Sequence, residues 1–145
     1  TVSQALSDLK KALAYGVSHI SWYQLTLEPN TVFAKYPPKG LPNLDQIVEI
    51  EEAGRRLLVD HGFQRYEISA YAKSGHACQH NLAIWEFGDY LGVGAGAHGK
   101  VTVDGQVQRT VKLRTPASYI ERPTYAKVEI VDSHHQVMFE YMLNR

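Results

Sequence analysis

Five glycines between positions 88 and 99 constrain the fold of this chain more than any other feature of its sequence. They stand at Gly88, Gly92, Gly94, Gly96 and Gly99. Each of them forfeits side-chain packing and costs conformational entropy on folding. Such a cost is typical of tight turns and of places where the backbone must approach another group closely. We therefore expect a functional site within the surrounding segment, residues 66–99, which is also rich in histidine and aromatic residues.

Composition and charge narrow the classes of partner. The 145 residues include 15 basic and 15 acidic side chains, so the formal net charge is zero. This balance disfavours nucleic acid or an anionic membrane as the main partner, because both need a basic face. No apolar run approaches the ~20 residues of a membrane span, and the chain does not start with a signal-peptide pattern. The single cysteine, Cys78, cannot form an internal disulfide and fits a cytoplasmic location.

Helix and strand patterns alternate along the first 98 residues. Helices are predicted at 3–15, at about 45–61 and near 80–87, and strands at 19–27, 64–70 and 90–97. Ser3 is expected to cap the first helix and Asn43 or Asp45 the second, and residues 30–43 are expected to form a loop. This alternation predicts an α/β fold with a parallel sheet or barrel. Ligands of such folds bind at the carboxyl ends of the strands. Residues 26–28, 67–71 and 96–99 lie at those ends, and we expect them to share one site.

The pattern changes after Gly99. Residues 100–113 alternate apolar and polar side chains around Asp104-Gly105, which predicts a β-hairpin. A short helix is expected to begin at Thr115-Pro116, and a last helix to begin at about Asp132. The chain starts in one helix pattern, without Met, and stops in another, so we expect it to be part of a longer protein.

Several segments together resemble one known family. LTLEPNT, YEISAYAKSGHACQHN, GDYLGVGAGAHGK, FEYMLNR and the pattern HN-x-x-x-W closely resemble the HemW/HemN branch of radical S-adenosylmethionine proteins. This branch includes oxygen-independent coproporphyrinogen III oxidase and the haem chaperone HemW. The resemblance covers essentially the whole chain. The HN-x-x-x-W pattern favours the HemW side, where a similar His-Asn-x-x-Tyr-Trp motif is implicated in haem binding; Ile84 stands where that motif has Tyr.

The resemblance implies a partial (β/α)6 barrel followed by a C-terminal domain. Residues 1–99 would form the second half of the barrel, and residues 100–145 a hairpin and the start of the next domain. The full-length protein would hold S-adenosylmethionine and a [4Fe–4S] cluster. The family's Cys-x3-Cys-x2-Cys motif is absent here, and Cys78 alone cannot replace several thiolates. We therefore expect this chain by itself to bind no cofactor stably and to be inactive. Whether the longer protein is a radical-SAM oxidoreductase stays open at this point.

The resemblance also assigns candidate ligand-binding residues. Thr26 and His98 match positions that contact S-adenosylmethionine, the latter through its backbone. His80, Asn81 and Trp85 match the haem-binding motif, with His80 as the candidate iron ligand and His76 as a second candidate. The residues alone leave a simpler alternative open, in which His80 and Asn81 begin a helix and Asn81 caps it.

Two further interpretations concern metal binding and a carboxylate. The spacing of His76, Cys78 and His80 suggests a metal site, but ligand sets so close in sequence are rarely complete, so no metal ligand is predicted. Glu67 would orient a polar substrate group or, as the simpler alternative, pair with Arg65 or Lys73.

Three functions follow from this reading. The first is a HemW-type haem chaperone that binds haem and S-adenosylmethionine. The second is a true coproporphyrinogen III oxidase, which decarboxylates its substrate oxidatively in porphyrin biosynthesis, and the third is a non-catalytic α/β binding domain. Haem or a porphyrin is thus the expected partner. The exposed strand edges of a half barrel also favour a homo-oligomer.

Overall fold

A computed structural model of the chain describes residues 1–131 and 134–143. The chain divides into two compact units, Thr1–Ala77 and Cys78–Arg145, called unit 1 and unit 2 below. Both contain helices and a small sheet, so the predicted mixed α/β class is confirmed. In the described part of the chain, no helix has the length and apolar character to cross a membrane.

Local capping signals set the helices of unit 1. Helix α1 (Val2–Ala14) begins after Thr1, whose side chain forms a capping box with Gln4, and not after Ser3 as the sequence suggested. Helix α2 (Val32–Lys35) lies inside the segment predicted to be a loop. Helix α3 (Leu44–Asp60) begins after Asn43, which confirms one of its two expected caps.

The sheet of unit 1 is antiparallel, whereas the sequence predicted parallel neighbours. Strands β1 (His19–Ser21) and β2 (Gln64–Glu67) both pair with β3 (Ala70–Ala72), which lies between them. The predicted strand 64–70 ends early, at Glu67, and the chain then turns back, so that Ala70 begins the central strand in the opposite direction. Closing such a short turn costs less chain entropy than closing a long crossover. The outer strands β1 and β2 therefore run in the same direction without touching.

The core of unit 1 is apolar. It lies where the two long helices pack on the sheet, and it contains Leu9, Ile20, Leu58, Phe63 and Tyr71. Gly54 permits this packing, because a Cβ atom there would overlap the indole ring of Trp22.

The described residues of unit 2 form a second antiparallel sheet and three helices. Its elements are α4 (Gln79–Trp85), β4 (His98–Val103), β5 (Gln106–Val111), α5 (Pro116–Glu121), β6 (Lys127–Val131) and α6 (His134–Leu143). The sheet has the order β4-β5-β6. The predicted hairpin is confirmed: Asp104 and Gly105 have φ values of 50° and 77°, the positive pair that a tight two-residue turn requires. Strand β6 was not predicted, and Asp132, the expected start of the last helix, lies outside the described residues.

The predicted strand 90–97 is wrong, and the glycines explain why. Tyr90 alone joins the sheet, through an isolated bridge to Lys100. Gly94 and Gly96 then have φ values of 110° and 70°, which end any extended run. A Cβ atom on Gly92 would lie 2.6 Å from the carbonyl of His98. The glycines thus serve both expected purposes, turns and a close crossing of two backbone segments.

Candidate functional site

Helix α4 carries the candidate haem-binding residues of unit 2. The helix begins after Cys78, whose side chain makes no capping hydrogen bond. Asn81 lies inside the first turn and is half-buried, so the alternative in which Asn81 caps the helix is wrong. The simpler explanation for this His-Asn pair therefore loses its main support.

The imidazole of His80 is exposed to solvent. Its ring meets the ring of Tyr90 edge-to-face, with 6.2 Å between the ring centres and an angle of 87°. Trp85 is half-buried and lies five residues further on, about 140° around the helix from His80. The structure thus presents the imidazole outward and places Trp85 on a different face of the same helix.

A polar network that the sequence did not predict holds Tyr90. The Tyr90 hydroxyl accepts a hydrogen bond from a terminal nitrogen of Arg109 at 3.2 Å. Arg109 also forms an ion pair with Glu140 of α6, and this carboxylate raises the pKa of the Arg109 guanidinium. Arg109 and Glu140 are 31 residues apart, and no local sequence signal links partners at that separation.

A buried cation holds the turn that precedes Tyr90. Lys100 is 2% exposed. Its ammonium donates to the carbonyl of Phe87 at 2.8 Å and to Asp89 at 3.1 Å, and it lies 4.0 Å from the centre of the Phe87 ring. Phe87 has a φ of 60°, an unusual value for a residue with a side chain. These contacts fix the backbone between α4 and the sheet.

The two candidate S-adenosylmethionine residues lie in different units. Thr26 is exposed and follows β1 by several residues, because this strand is shorter than predicted. His98 is exposed at the start of β4 and pairs with Val111. Two residues before His98, the backbone amide of Gly96 donates a hydrogen bond to the carbonyl of Leu113 at 2.7 Å. The assignment of Thr26 and His98 to one cofactor stays a prediction.

Glu67 is half-buried at the end of β2. Within the described residues its Oε1 atom is buried without a hydrogen-bond partner. The expected pairing with Arg65 or Lys73 is not the one that the structure shows. Arg65 lies 3.6 Å from Glu51, and the Lys73 ammonium lies over the ring of Phe63. An unpaired carboxylate oxygen is a strong acceptor for a donor group.

Unit 1 also contains an apolar cleft of about 360 Å³, which the sequence did not predict. Its walls include Trp22, Leu25, Ile47, Ile50 and Tyr71, together with the carboxylates of Asp8 and Glu51. Burial raises the pKa of the Tyr71 phenol. The cleft offers flat aromatic surface to an apolar group.

The residues present do not fit an iron–sulfur cluster. In the parts of the chain that the structure describes, no three His, Cys, Asp or Glu side chains converge to hold a metal ion. The 145 residues include one cysteine, whereas a [4Fe–4S] cluster is held by several thiolates.

Known proteins resemble this chain along its whole length. Heme chaperone HemW of Escherichia coli is 47% identical over 146 residues, which cover 100% of this chain and 38% of that protein. Heme chaperone HemW of Haemophilus influenzae is 48% identical with the same coverage. Radical S-adenosyl methionine domain-containing protein 1, mitochondrial, of Mus musculus is 40% identical over 112 residues, 75% of this chain and 25% of that protein. No protein-family model and no solved structure matches the chain.

These relatives place the chain among the radical S-adenosylmethionine proteins, in the HemW/HemN branch. Within that branch it is a HemW-type segment, since the two bacterial relatives that match all of it are heme chaperones. The resemblance drawn from the sequence is thereby confirmed. The chain spans 38% of the length of these curated relatives.

Proposed function

We propose that this chain is part of a haem chaperone and that His80 is a ligand of the haem iron. The observation that carries the proposal is the exposed imidazole of His80 on helix α4. The relative from Escherichia coli that matches this chain from end to end is a heme chaperone. A neutral imidazole binds haem iron through a ring nitrogen. Across the described residues, no hydrogen bond occupies the His80 ring, so its nitrogens are available to the iron.

The neighbours of His80 on α4 would support the cargo. Trp85 would contribute apolar area to the edge of the porphyrin, and Asn81 would contribute a polar contact. Because Trp85 lies on another face of the helix, we assign it a supporting role and leave iron ligation to His80. Haem is the cargo of this site, so its affinity must permit release as well as capture.

The same proposal assigns the other cofactors to the longer protein. The [4Fe–4S] cluster would be held by cysteines outside these residues, and Thr26 and His98 would contact S-adenosylmethionine. The partial barrel stays a prediction for the longer protein, because β1 and β2 run in the same direction but both pair with the antiparallel strand β3 that lies between them. The domain boundary at residues 99 and 100, the cytoplasmic location and the homo-oligomer likewise stay predictions.

A haem titration of the full-length protein tests the assignment of His80. We expect His80→Ala to weaken haem binding at least about tenfold, because every tenfold change corresponds to about 1.4 kcal/mol and a good iron ligand is lost. The Soret band should shift, while S-adenosylmethionine binding stays intact. His76→Ala is the matched control, since His76 is also exposed and precedes the same helix.

Two outcomes would contradict the proposal. If His80→Ala keeps the parent's haem affinity and Soret band while circular dichroism shows an intact fold, His80 is not a ligand. If the purified full-length protein decarboxylates coproporphyrinogen, the oxidase function replaces the chaperone function. We expect no such activity.

A further inference from the structure

We infer that Tyr90 is a positioning residue for His80 and that Arg109 and Glu140 hold Tyr90 in place. This inference rests on the proposed function, because it concerns how the candidate iron ligand is presented. All four side chains belong to unit 2. Together they connect α6, β5 and α4 in one series of contacts.

Two hydrogen bonds to Lys100 fix the backbone of Tyr90. Its amide donates to the carbonyl of Lys100 at 2.8 Å, and its carbonyl accepts from the amide of Lys100 at 2.9 Å. The preceding turn is held by the buried ammonium of Lys100. The Cα position of Tyr90 therefore follows strand β4.

The ring of Tyr90 is held at its far end as well. Its hydroxyl accepts from Arg109, which occupies the centre of β5 and pairs with Lys100 on one side and Glu129 on the other. Two nitrogens of the Arg109 guanidinium, Nε and Nη2, donate to the same carboxylate oxygen of Glu140. Charge-assisted hydrogen bonds of this kind are stronger than neutral ones and fix the planar guanidinium. A ring attached at both ends has little freedom to rotate.

This fixed ring restricts the imidazole of His80. An edge-to-face contact is one of the favoured arrangements of two aromatic rings, so Tyr90 limits the rotamers that the exposed imidazole adopts. It does so without a hydrogen bond to either ring nitrogen. Ordering a ligand before binding lowers the entropy lost when the complex forms. Tyr90 thus acts on haem affinity through His80.

Variants of Tyr90 in the full-length protein separate positioning from folding. Tyr90→Leu removes the ring, and we expect haem affinity to fall about tenfold, as for other residues that orient a metal ligand. Tyr90→Phe keeps the ring and loses the bond to Arg109, so its effect should be smaller. Tyr119→Phe is the matched control, because it also removes a phenol that accepts one hydrogen bond, from Gly94 at 3.2 Å. It should leave haem binding unchanged.

The decisive measurement is a double-mutant cycle with haem titration and electron paramagnetic resonance of the ferric complex. In the parent, Tyr90→Leu should change the axial-ligand signal. In the His80→Ala background, Tyr90→Leu should change neither the axial-ligand signal nor the haem affinity any further. The inference would be overturned if the losses of haem affinity in the two single variants added up in the double variant. It would also be overturned if both Tyr90 variants kept the parent's haem affinity while His80→Ala bound haem more weakly. If His80→Ala itself has no effect, the proposed function fails and takes this inference with it. If Tyr90→Leu does not fold, the cycle is run with Tyr90→Phe.

Discussion

The two units contain similar sheets but bury different kinds of side chain. Each has three antiparallel strands. Unit 1 buries apolar side chains almost completely, with Leu58 at 0% and Phe63 at 1% exposure. Unit 2, within its described residues, has a charged side chain as its most deeply buried long residue, Lys100 at 2%. Its apolar core is smaller, and among its described residues Val107 and Val131 are the buried aliphatic ones, at 8% and 4% exposure.

This contrast links packing to function. Apolar burial stabilises a unit strongly but has no preferred direction. Hydrogen bonds and ion pairs depend on direction, so they fix where individual groups lie. Unit 2 carries the candidate iron ligand, and its polar contacts determine the positions of Phe87 and Tyr90 next to it. We expect unit 1 to depend mainly on packing, and unit 2 on a few specific bonds.

The largest expected effect comes from removing a core ring in unit 1. Phe63→Ala should lower the free energy of unfolding by about 3–5 kcal/mol, because a buried aromatic side chain is replaced by a cavity. The chain has two tryptophans, Trp22 in unit 1 and Trp85 in unit 2. Urea unfolding followed by fluorescence in a Trp85→Phe background therefore reports on unit 1 by itself.

Phe33→Ala is the control for this comparison. Phe33 is 53% exposed, so the removal of its ring should change the free energy of unfolding by no more than about 0.5 kcal/mol. Equal losses for Phe33→Ala and Phe63→Ala would mean that the core of unit 1 is not the one described.

A smaller effect is expected from removing the buried cation of unit 2. Lys100→Met keeps most of the side-chain volume and leaves the carbonyl of Phe87 without its donor. The free energy of unfolding should fall by about 1–3 kcal/mol, the cost of one unsatisfied buried polar group. The measurement uses Trp85 fluorescence in a Trp22→Phe background. Lys127→Met, at an exposed position of the same sheet, should have little effect; a gain in stability for Lys100→Met would contradict the role given to this ammonium.

Sequence reasoning succeeded where a local signal decides the structure. Asn43 before an amphipathic run marked the start of α3, and Asp104-Gly105 between alternating residues marked the hairpin. In both cases the residues that specify the element lie within a few positions of each other. The family resemblance also came from short contiguous segments.

Sequence reasoning failed where residues far apart in the chain decide the structure. The segment 90–97 has the composition of a strand, but glycine conformations and the crossing over His98 prevent it from joining a sheet. The order of the first sheet depends on a turn that sends β3 between β1 and β2, and apolar patterning does not encode that choice. Neighbouring strands were therefore predicted to be parallel and were found to be antiparallel.

The candidate site shows the same limit. The sequence identified His80 from a motif within one helix. It did not identify Tyr90, Arg109 or Glu140, because their contacts join α4, β5 and α6 across the fold. Nor did it identify the hydrogen bond of 2.7 Å between His19 and Tyr66, which spans 47 residues.

The last and smallest expected effect concerns pH. The backbone amide of Thr102 is the main cause that lowers the pKa of Asp89 below its ordinary value of 3.8, and Lys100 adds to it. A carboxyl group with a lowered pKa in the folded state stabilises that state above its unfolded pKa. This contribution is lost as the pH falls through the folded value, so unit 2 should lose stability on acidification below about pH 4.

Asp89→Asn tests this origin of acid sensitivity. The variant has no carboxyl group to protonate, so its urea midpoint, read from Trp85 fluorescence in the Trp22→Phe background, should fall less between pH 5 and pH 2 than the parent's. Thr102→Val is the matched control, because it removes a hydroxyl donor to Asp89 and retains the amide donor that dominates the shift. It should keep most of the parent's acid slope. If Asp89→Asn and the parent lose stability in parallel, the contacts around Asp89 do not set the acid response of unit 2. The contrast between the two units would then rest on the buried Lys100 alone.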